Sequence, residues 1–170
     1  MIRGIFPVIP TMFTDQNVVD HQATRRVVRF AIDSGAHGVV FPGVASEVNF
    51  LSLDERPDLL KSVTDEVAGV VPVIGGASAD TSAEAITAGK QSIEHGVRHL
   101  MLMAPSALGQ DVESHLRFFS SVSEAIPQAE IILQNAPSPI GAGLSASQIL
   151  RIIKSNSGIT YTKEETLPSG

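Results

Sequence analysis

Short apolar, β-branched runs recur along this chain about every 30 residues, and each gap between them holds a helix pattern. The runs begin near residues 2, 38, 70, 100, 130 and 159. A strand–helix–strand repeat of this length joins strands that lie parallel, because a tight hairpin cannot connect parallel neighbours. The runs barely alternate. Gly38-Val39-Val40-Phe41, Leu100 to Met103 and Ile131-Ile132-Leu133 are apolar at successive positions, as in strands buried on both faces. The fold class that follows is α/β, with a parallel sheet and crossover helices.

Two architectures satisfy this pattern, a closed barrel and an open doubly wound sheet. The first strand leads into Pro10-Thr11-Met12-Phe13 and carries no GxGxxG, which weighs against a dinucleotide-binding open sheet. A (β/α)8 TIM barrel is the expected fold. Such a barrel needs eight strands, and about the first six are visible before the sequence stops at Pro168-Ser169-Gly170. The expectation is one barrel domain over residues 1–170, incomplete at its C-terminal end.

Helix signals punctuate the repeat. Asp20 is placed to cap a helix with Val27, Val28, Ala31 and Ile32 inward. Ser52 with Glu55, Thr81 with Glu84, and Ser145 with Gln148 have capping-box spacing. Asp111 and Glu113 suit the start of a helix carrying Leu116, Phe119, Val122 and Ile126. Ile149, Leu150, Ile152 and Ile153 are expected inside the last helix. The first strand is read within Ile2–Phe13, with irregular ends at Pro7 and Pro10. The third is read over Val70–Ile74, ended by Gly75-Gly76.

Composition removes several functions. The net charge is −6 and no basic block exists to meet phosphates, so neither nucleic acid nor a membrane surface is an expected partner. No run of apolar residues is long enough to span a bilayer. No basic-then-apolar leader opens the chain. With no cysteine, disulfides and thiolate metal sites are excluded, which fits a cytoplasmic protein. The five histidines show no metal-ligand spacing, so no metal is expected, and no cofactor.

In a barrel of this kind, chemistry sits at the carboxyl ends of the strands. Of the four lysines, Lys61, Lys90 and Lys154 lie in or at the end of helix patterns, where solvation explains them. Lys163 alone follows a strand directly, Ile159-Thr160-Tyr161-Thr162. An amine that sheds hydration at a barrel mouth is a nucleophile toward carbonyl carbon. An ordinary surface lysine at a strand end is the competing reading. The loop Gly43-Val44-Ala45-Ser46-Glu47 combines a glycine, a hydroxyl and backbone N–H groups able to hold a carboxylate. Taken alone, the loop is better explained as a plain tight βα turn. Gly75-Gly76 reads as conformational. Gln134-Asn135 offers two amides to substrate oxygens or to loop backbone. Glu164 and Glu165 pair with Lys163 or are simply solvated.

These motifs resemble those of the N-acetylneuraminate lyase and dihydrodipicolinate synthase superfamily of Schiff-base (β/α)8 enzymes. The resemblance spans the whole chain. It rests on Arg3-Gly4-Ile5-Phe6-Pro7-Val8 with Pro10-Thr11 and Phe13. It also rests on Gly43 and Ser46-Glu47 before Leu53-Asp54-Glu55-Arg56, on Asn135 with Pro137, and on Lys163-Glu164. It implies that Lys163 condenses with the keto carbon of a 2-oxo acid. It implies that Gly43, Val44, Ala45 and Ser46, with Thr11 and Asn135, bind that substrate. A homo-oligomer is implied in the same way.

The chain also departs from the family pattern. Gly43-Val44-Ala45-Ser46-Glu47 lacks the family's paired hydroxyls. Gln134 stands where the family has its proton-relaying tyrosine, and Gln is neither acid nor base near neutral pH. Ser106-Ala107 and Pro139-Ile140 replace a second tyrosine and an arginine. In the Arg3-Gly4-Ile5-Phe6-Pro7-Val8 opening, in Ser46-Glu47 without the paired hydroxyls, and in Gln134 before the Ala136-Pro137 pair, the chain resembles the 2-keto-3-deoxyarabonate dehydratases. The expected function is therefore a lyase that dehydrates a 2-keto-3-deoxy sugar acid, with Lys163 and Gln134 as candidate catalytic residues. The base is left open between Glu165 and a water held by Gln134 and Ser46. The alternatives are a pyruvate-dependent aldolase or synthase, and a decayed family member that only binds a 2-oxo acid. A phosphate-binding barrel is weaker, since no loop in view forms a phosphate cradle.

Overall fold

The structure, a computed structural model, describes residues 2–167. Pro168-Ser169-Gly170 lies outside the described residues. The chain forms two compact units. One runs to Gly76 and includes Gln91–Arg98; the other comprises Ala77–Lys90 and the chain from His99 onward.

The first unit contains α1 (His21–Asp33), β1 (Val39–Val40), two 3-10 turns (Val44–Ser46 and Val48–Phe50), α2 (Glu55–Val67) and β2 (Val73–Gly76). β1 and β2 are parallel, with Val39 beside Val73 and Val40 beside Ile74. The opening run contributes a single parallel bridge, Val8 to Val40. Ile9 N–H donates to Val40 O at 3.0 Å, and Val40 N–H to Pro7 O at 2.9 Å. Pro7 and Pro10 have no N–H to extend the ladder, which is why the expected strand shrinks to this contact. The third strand is displaced from Val70–Ile74 to Val73–Gly76 for a related reason. Pro72 cannot donate, and Val70 is exposed. Ile9, Val28, Phe41, Leu59 and Val63 are buried in this unit.

The capping hydrogen bonds form where the sequence places them, although α2 begins at Glu55 with Asp54, not Ser52, at its N-cap. Asp20 Oδ1 accepts the Ala23 N–H at 2.8 Å. Ser52 N–H donates to Glu55 Oε2 at 2.8 Å, and Glu55 N–H to Ser52 Oγ at 3.2 Å. Each such cap contributes about 1 kcal/mol. Gly75 and Gly76 act through packing. A Cβ on Gly76 would stand 1.9 Å from Pro42 O, and one on Gly75 would stand 2.8 Å from Ser92 Oγ.

α3 spans Ser82–Glu94. The second unit continues with β3 (His99–Met103), α4 (Val112–Ala125), β4 (Glu130–Asn135), α5 (Ala146–Ser155) and β5 (Ile159–Glu164). β3, β4 and β5 are parallel. Ile131 pairs with Ile159 and Ile132 with Tyr161, so Thr160 is passed over; Gln134 then faces Lys163. Every residue of Ile131–Asn135 is buried, as the unbroken apolar run predicts, whereas Thr160, Thr162 and Lys163 on β5 are exposed. Leu100, Leu102, Phe119, Ile131, Leu133 and Ile152 form the core of this unit. Leu150 was expected inside but is 55% exposed, because α5 turns Ile149 and Ile152 inward instead.

Candidate active site

The loop after β1 is built around the Ser46 side chain. Ser46 is fully buried. Its hydroxyl donates to Ile9 O at 2.6 Å and accepts the Gly43 N–H at 2.9 Å. Thr11, also buried, donates its hydroxyl to Ser46 O at 2.6 Å. Both hydroxyls are therefore spent on holding the loop to the opening segment. The expectation that the Ser46 hydroxyl faces a ligand gives way to this internal role. A Cβ on Gly43 would come within 2.8 Å of Val8 Cγ1, so only glycine lets the loop lie this close. What the loop presents outward is the exposed Val44 and Ala45. Their N–H groups are the first of a 3-10 turn, and a helical turn leaves such groups without internal acceptors.

In the second unit, five polar side chains gather where β4 and β5 end. Lys163 Nζ forms an ion pair with Glu165 Oε1 at 2.6 Å. The same oxygen accepts Gln134 Nε2–H at 2.9 Å. Gln134 is 4% exposed, while the Lys163 side chain is 42% exposed. The lysine thus keeps contact with solvent and has its charge met by a carboxylate. The Glu165 N–H donates to Asn135 O at 2.9 Å, which fixes the start of that carboxylate's side chain.

Asn135 has no exposed surface. Its Oδ1 accepts the Leu144 N–H at 2.9 Å, and its Nδ2 donates to Leu144 O at 3.0 Å. Nδ2 also reaches both Glu164 oxygens, at 3.1 and 3.0 Å. Its amide therefore closes the loop after β4 and ties it to the end of β5. The amide thus bonds loop backbone, one of the two roles open to it. Burial pushes the Glu164 carboxyl up. Hydrogen bonds from the Thr166 hydroxyl, the Asn135 amide and the Thr166 N–H outweigh that and hold it below the usual carboxylate range.

Some contributors were not visible in the sequence. Gln110 Nε2 donates to Ala142 O and to Gly143 O, and Gln110 O accepts from Gln148 Nε2 at 2.9 Å. The loops after β3 and β4 are thereby joined. Nothing in Gly109-Gln110-Asp111 beyond a helix start signals this. His115 is buried with Nε2 3.0 Å from Gly109 O, a placement that no sequence pattern signals. Among the described residues, no three His, Asp or Glu side chains gather to hold a metal ion, and no helix is long and apolar enough to cross a membrane.

The model of the dihydrodipicolinate synthetase family matches residues 1–166. This chain belongs to that family. It is 31% identical over 152 residues to a 4-hydroxy-tetrahydrodipicolinate synthase of Thermus thermophilus, covering 89% of this chain and 50% of that protein. It is 34% identical over 167 residues to L-2-keto-3-deoxyarabonate dehydratase of Azospirillum brasilense, covering 96% of this chain and 53% of that protein. The chain thus spans about half the length of the curated relatives it matches.

Among solved structures, a dihydrodipicolinate synthase matches with a TM-score of 0.87 at 27% identity, over 98% of this chain and 57% of that one. The protein CdNal from Clostridium difficile, solved in complex with mannosamine, matches in fold with a TM-score of 0.88 at 20% identity, over 95% of this chain and 56% of that one. The α/β class and the (β/α)8 barrel expected from the repeat are those of this family, and the chain carries part of such a barrel.

Proposed function

We propose that the protein is a Schiff-base lyase acting on a 2-oxo acid, by dehydration of a 2-keto-3-deoxy sugar acid. The observation that carries this reading is the carboxylate of Glu165 placed 2.6 Å from the Lys163 amine. A base in hydrogen-bond reach of the nucleophile is what such chemistry requires.

In this reading Lys163 Nζ attacks the C2 carbonyl carbon, the C–N bond forms and the carbonyl oxygen leaves as water. The iminium draws electrons from C3, and Glu165 takes a C3 proton. The C–H pair becomes the C2=C3 bond of an enamine, while the C=N pair returns to nitrogen. The nitrogen pair then drives formation of C3=C4 and rupture of C4–O. The hydroxyl departs as water with the proton that Glu165 removed. Addition of water at C2 releases an unsaturated 2-oxo acid and restores the amine, for a net loss of one water. For the substrate carboxylate, the chain offers the Val44 and Ala45 N–H groups. None of these steps needs a tyrosine, which agrees with Gln134 in the relay position.

The test is reductive trapping with borohydride, read by mass spectrometry. Incubation with pyruvate or a 2-keto-3-deoxy sugar acid is expected to leave an adduct on Lys163, and Lys163→Arg to abolish it. Release of a dehydrated product from the sugar acid supports the lyase. An adduct without product on any such acid points to a binder.

A second reading, a pyruvate-dependent aldolase or synthase, draws on the synthases among the relatives. It predicts carbon–carbon bond formation between pyruvate and an aldehyde in place of dehydration. In either reading the residues belong to a single barrel domain of a cytoplasmic homo-oligomer, with a small 2-oxo acid as partner.

A further inference from the structure

Among the described residues, Glu165 has two polar partners, both on the same oxygen. Oε1 meets the Lys163 ammonium at 2.6 Å and the Gln134 amide at 2.9 Å. Among the described residues, no hydrogen bond reaches Oε2. The two Oε1 partners differ in what a reaction does to them. An amine that has condensed with a ketone is a planar iminium with a single N–H, whose direction is set by the substrate. Its hold on Oε1 is then weakened at the moment when the carboxylate is needed. Gln134 is unchanged by condensation. It is buried on β4, directly opposite Lys163, and water has little access with which to compete for its bond. A donor of this kind to an ionised acceptor is among the stronger hydrogen bonds a protein makes.

We propose that Gln134 is a positioning residue that keeps Glu165 aligned once Lys163 is engaged as an imine, presenting Oε2 to the C3 proton. The assignment rests on the Schiff-base reading above. It separates Gln134 from the step that forms the imine and attaches it to the step that follows. Gln134 itself takes up no proton, since a neutral amide is neither acid nor base in this range. The proton moves only between C3 and Glu165, with the C–H electron pair passing into C2=C3.

The two steps can be read apart with pyruvate alone. Borohydride trapping reports the imine on Lys163. Exchange of the pyruvate methyl protons for deuterium in D2O, followed by NMR, reports C3 proton transfer. Gln134→Leu and the near-isosteric Gln134→Met are compared with the unaltered intact protein. Removing a charge-assisted bond is expected to slow exchange about 10- to 100-fold, with the trapped fraction within about twofold of the original.

Exchange that falls in both variants while trapping persists supports the assignment. A misfolded variant loses trapping and exchange together, so the ratio of the two is a readout that a purely structural role does not move. Exchange unchanged in both variants, or trapping and exchange falling in proportion in both, overturns the assignment and leaves the Schiff-base reading standing. Absence of any adduct in the unaltered protein overturns the Schiff-base reading and this one with it.

Discussion

Lys163 Nζ and Glu165 Oε1 stand 2.6 Å apart at the end of β5, two residues from one another in the chain. In an extended strand, residues two apart project to the same face. The Glu165 N–H is held on Asn135 O, so the pairing with β4 continues to this point and the two side chains share an aspect. The spacing Lys-x-Glu at a strand end, held in register by β4, places a carboxylate beside an amine.

Glu165→Gln tests the base directly. The amide is the same size and keeps polar contact with Gln134, but it accepts no proton. Imine trapping with pyruvate is expected to persist, while dehydration of a 2-keto-3-deoxy sugar acid falls by about 10²- to 10⁴-fold. A steady-state assay of product release checks it. Turnover within a few-fold of the original would remove Glu165 from the proton-transfer step.

Ser46→Ala is expected to act on stability. The substitution leaves Ile9 O without the Ser46 hydroxyl at a buried position, and the Gly43 N–H without its acceptor at a part-buried one. The cost is about 1–3 kcal/mol for each group left unsatisfied. Urea unfolding should show a lowered midpoint at unchanged slope. An unchanged midpoint would mean that the loop does not depend on this side chain.

Asn135→Asp places a second carboxylate against Glu164. The Asn135 Nδ2 now donates to both Glu164 oxygens, and the substituted acid has no N–H to offer. The like charges are expected to destabilise the fold at neutral pH. Part of the loss should return on acidification, as the pair takes up a shared proton. Denaturant midpoints at two pH values check both halves of this expectation.

His99 gives the fold a pH dependence of known sign. Burial lowers its affinity for a proton and outweighs the Glu130 carboxylate 3.6 Å away, which raises it. The folded chain therefore stays neutral at this site to lower pH than the unfolded chain, whose imidazole titrates near 6.5. The unfolded state binds more protons in that window, so stability rises with pH there. It is expected to decline as pH falls below about 6.5, towards the folded value. In His99→Gln that part of the slope should vanish, by midpoints measured across the window.

Glu164 acts lower on the scale. Its folded carboxyl titrates below the ordinary 4.5, so the stability it contributes is complete above that value and is lost as pH falls through the folded one.

What could be read in advance divides along physical lines. Capping hydrogen bonds at Asp20, Ser52, Thr81, Asp111 and Ser145 were legible because a cap is settled within four residues. The repeat gave the parallel order, and Ile131–Leu133 gave a strand buried on both faces. Strand limits near Pro7, Pro10 and Pro72 shifted, since hydrophobicity marks a strand but N–H supply bounds it. The pairing of Lys163 with Glu165 was one of two outcomes that the sequence left open. The inward turn of Ser46 was not legible, because its acceptor, Ile9 O, lies 37 residues away. The clasp of Gln110 on Ala142 and Gly143, and the burial of His115, depend likewise on how distant segments meet.

Thr160, passed over between Ile159 and Tyr161, is a β-bulge, and the whole Lys163 cluster lies downstream of it. Were Thr160 drawn into the ladder instead, every later pairing would slip by one. Thr162 would then stand across from Gln134, and Lys163 across from Asn135. The amine would turn to the opposite side of the strand, away from the oxygen it now shares with the glutamine. A single supernumerary residue, with no chemistry of its own, thus decides which side chain of β5 stands beside Gln134.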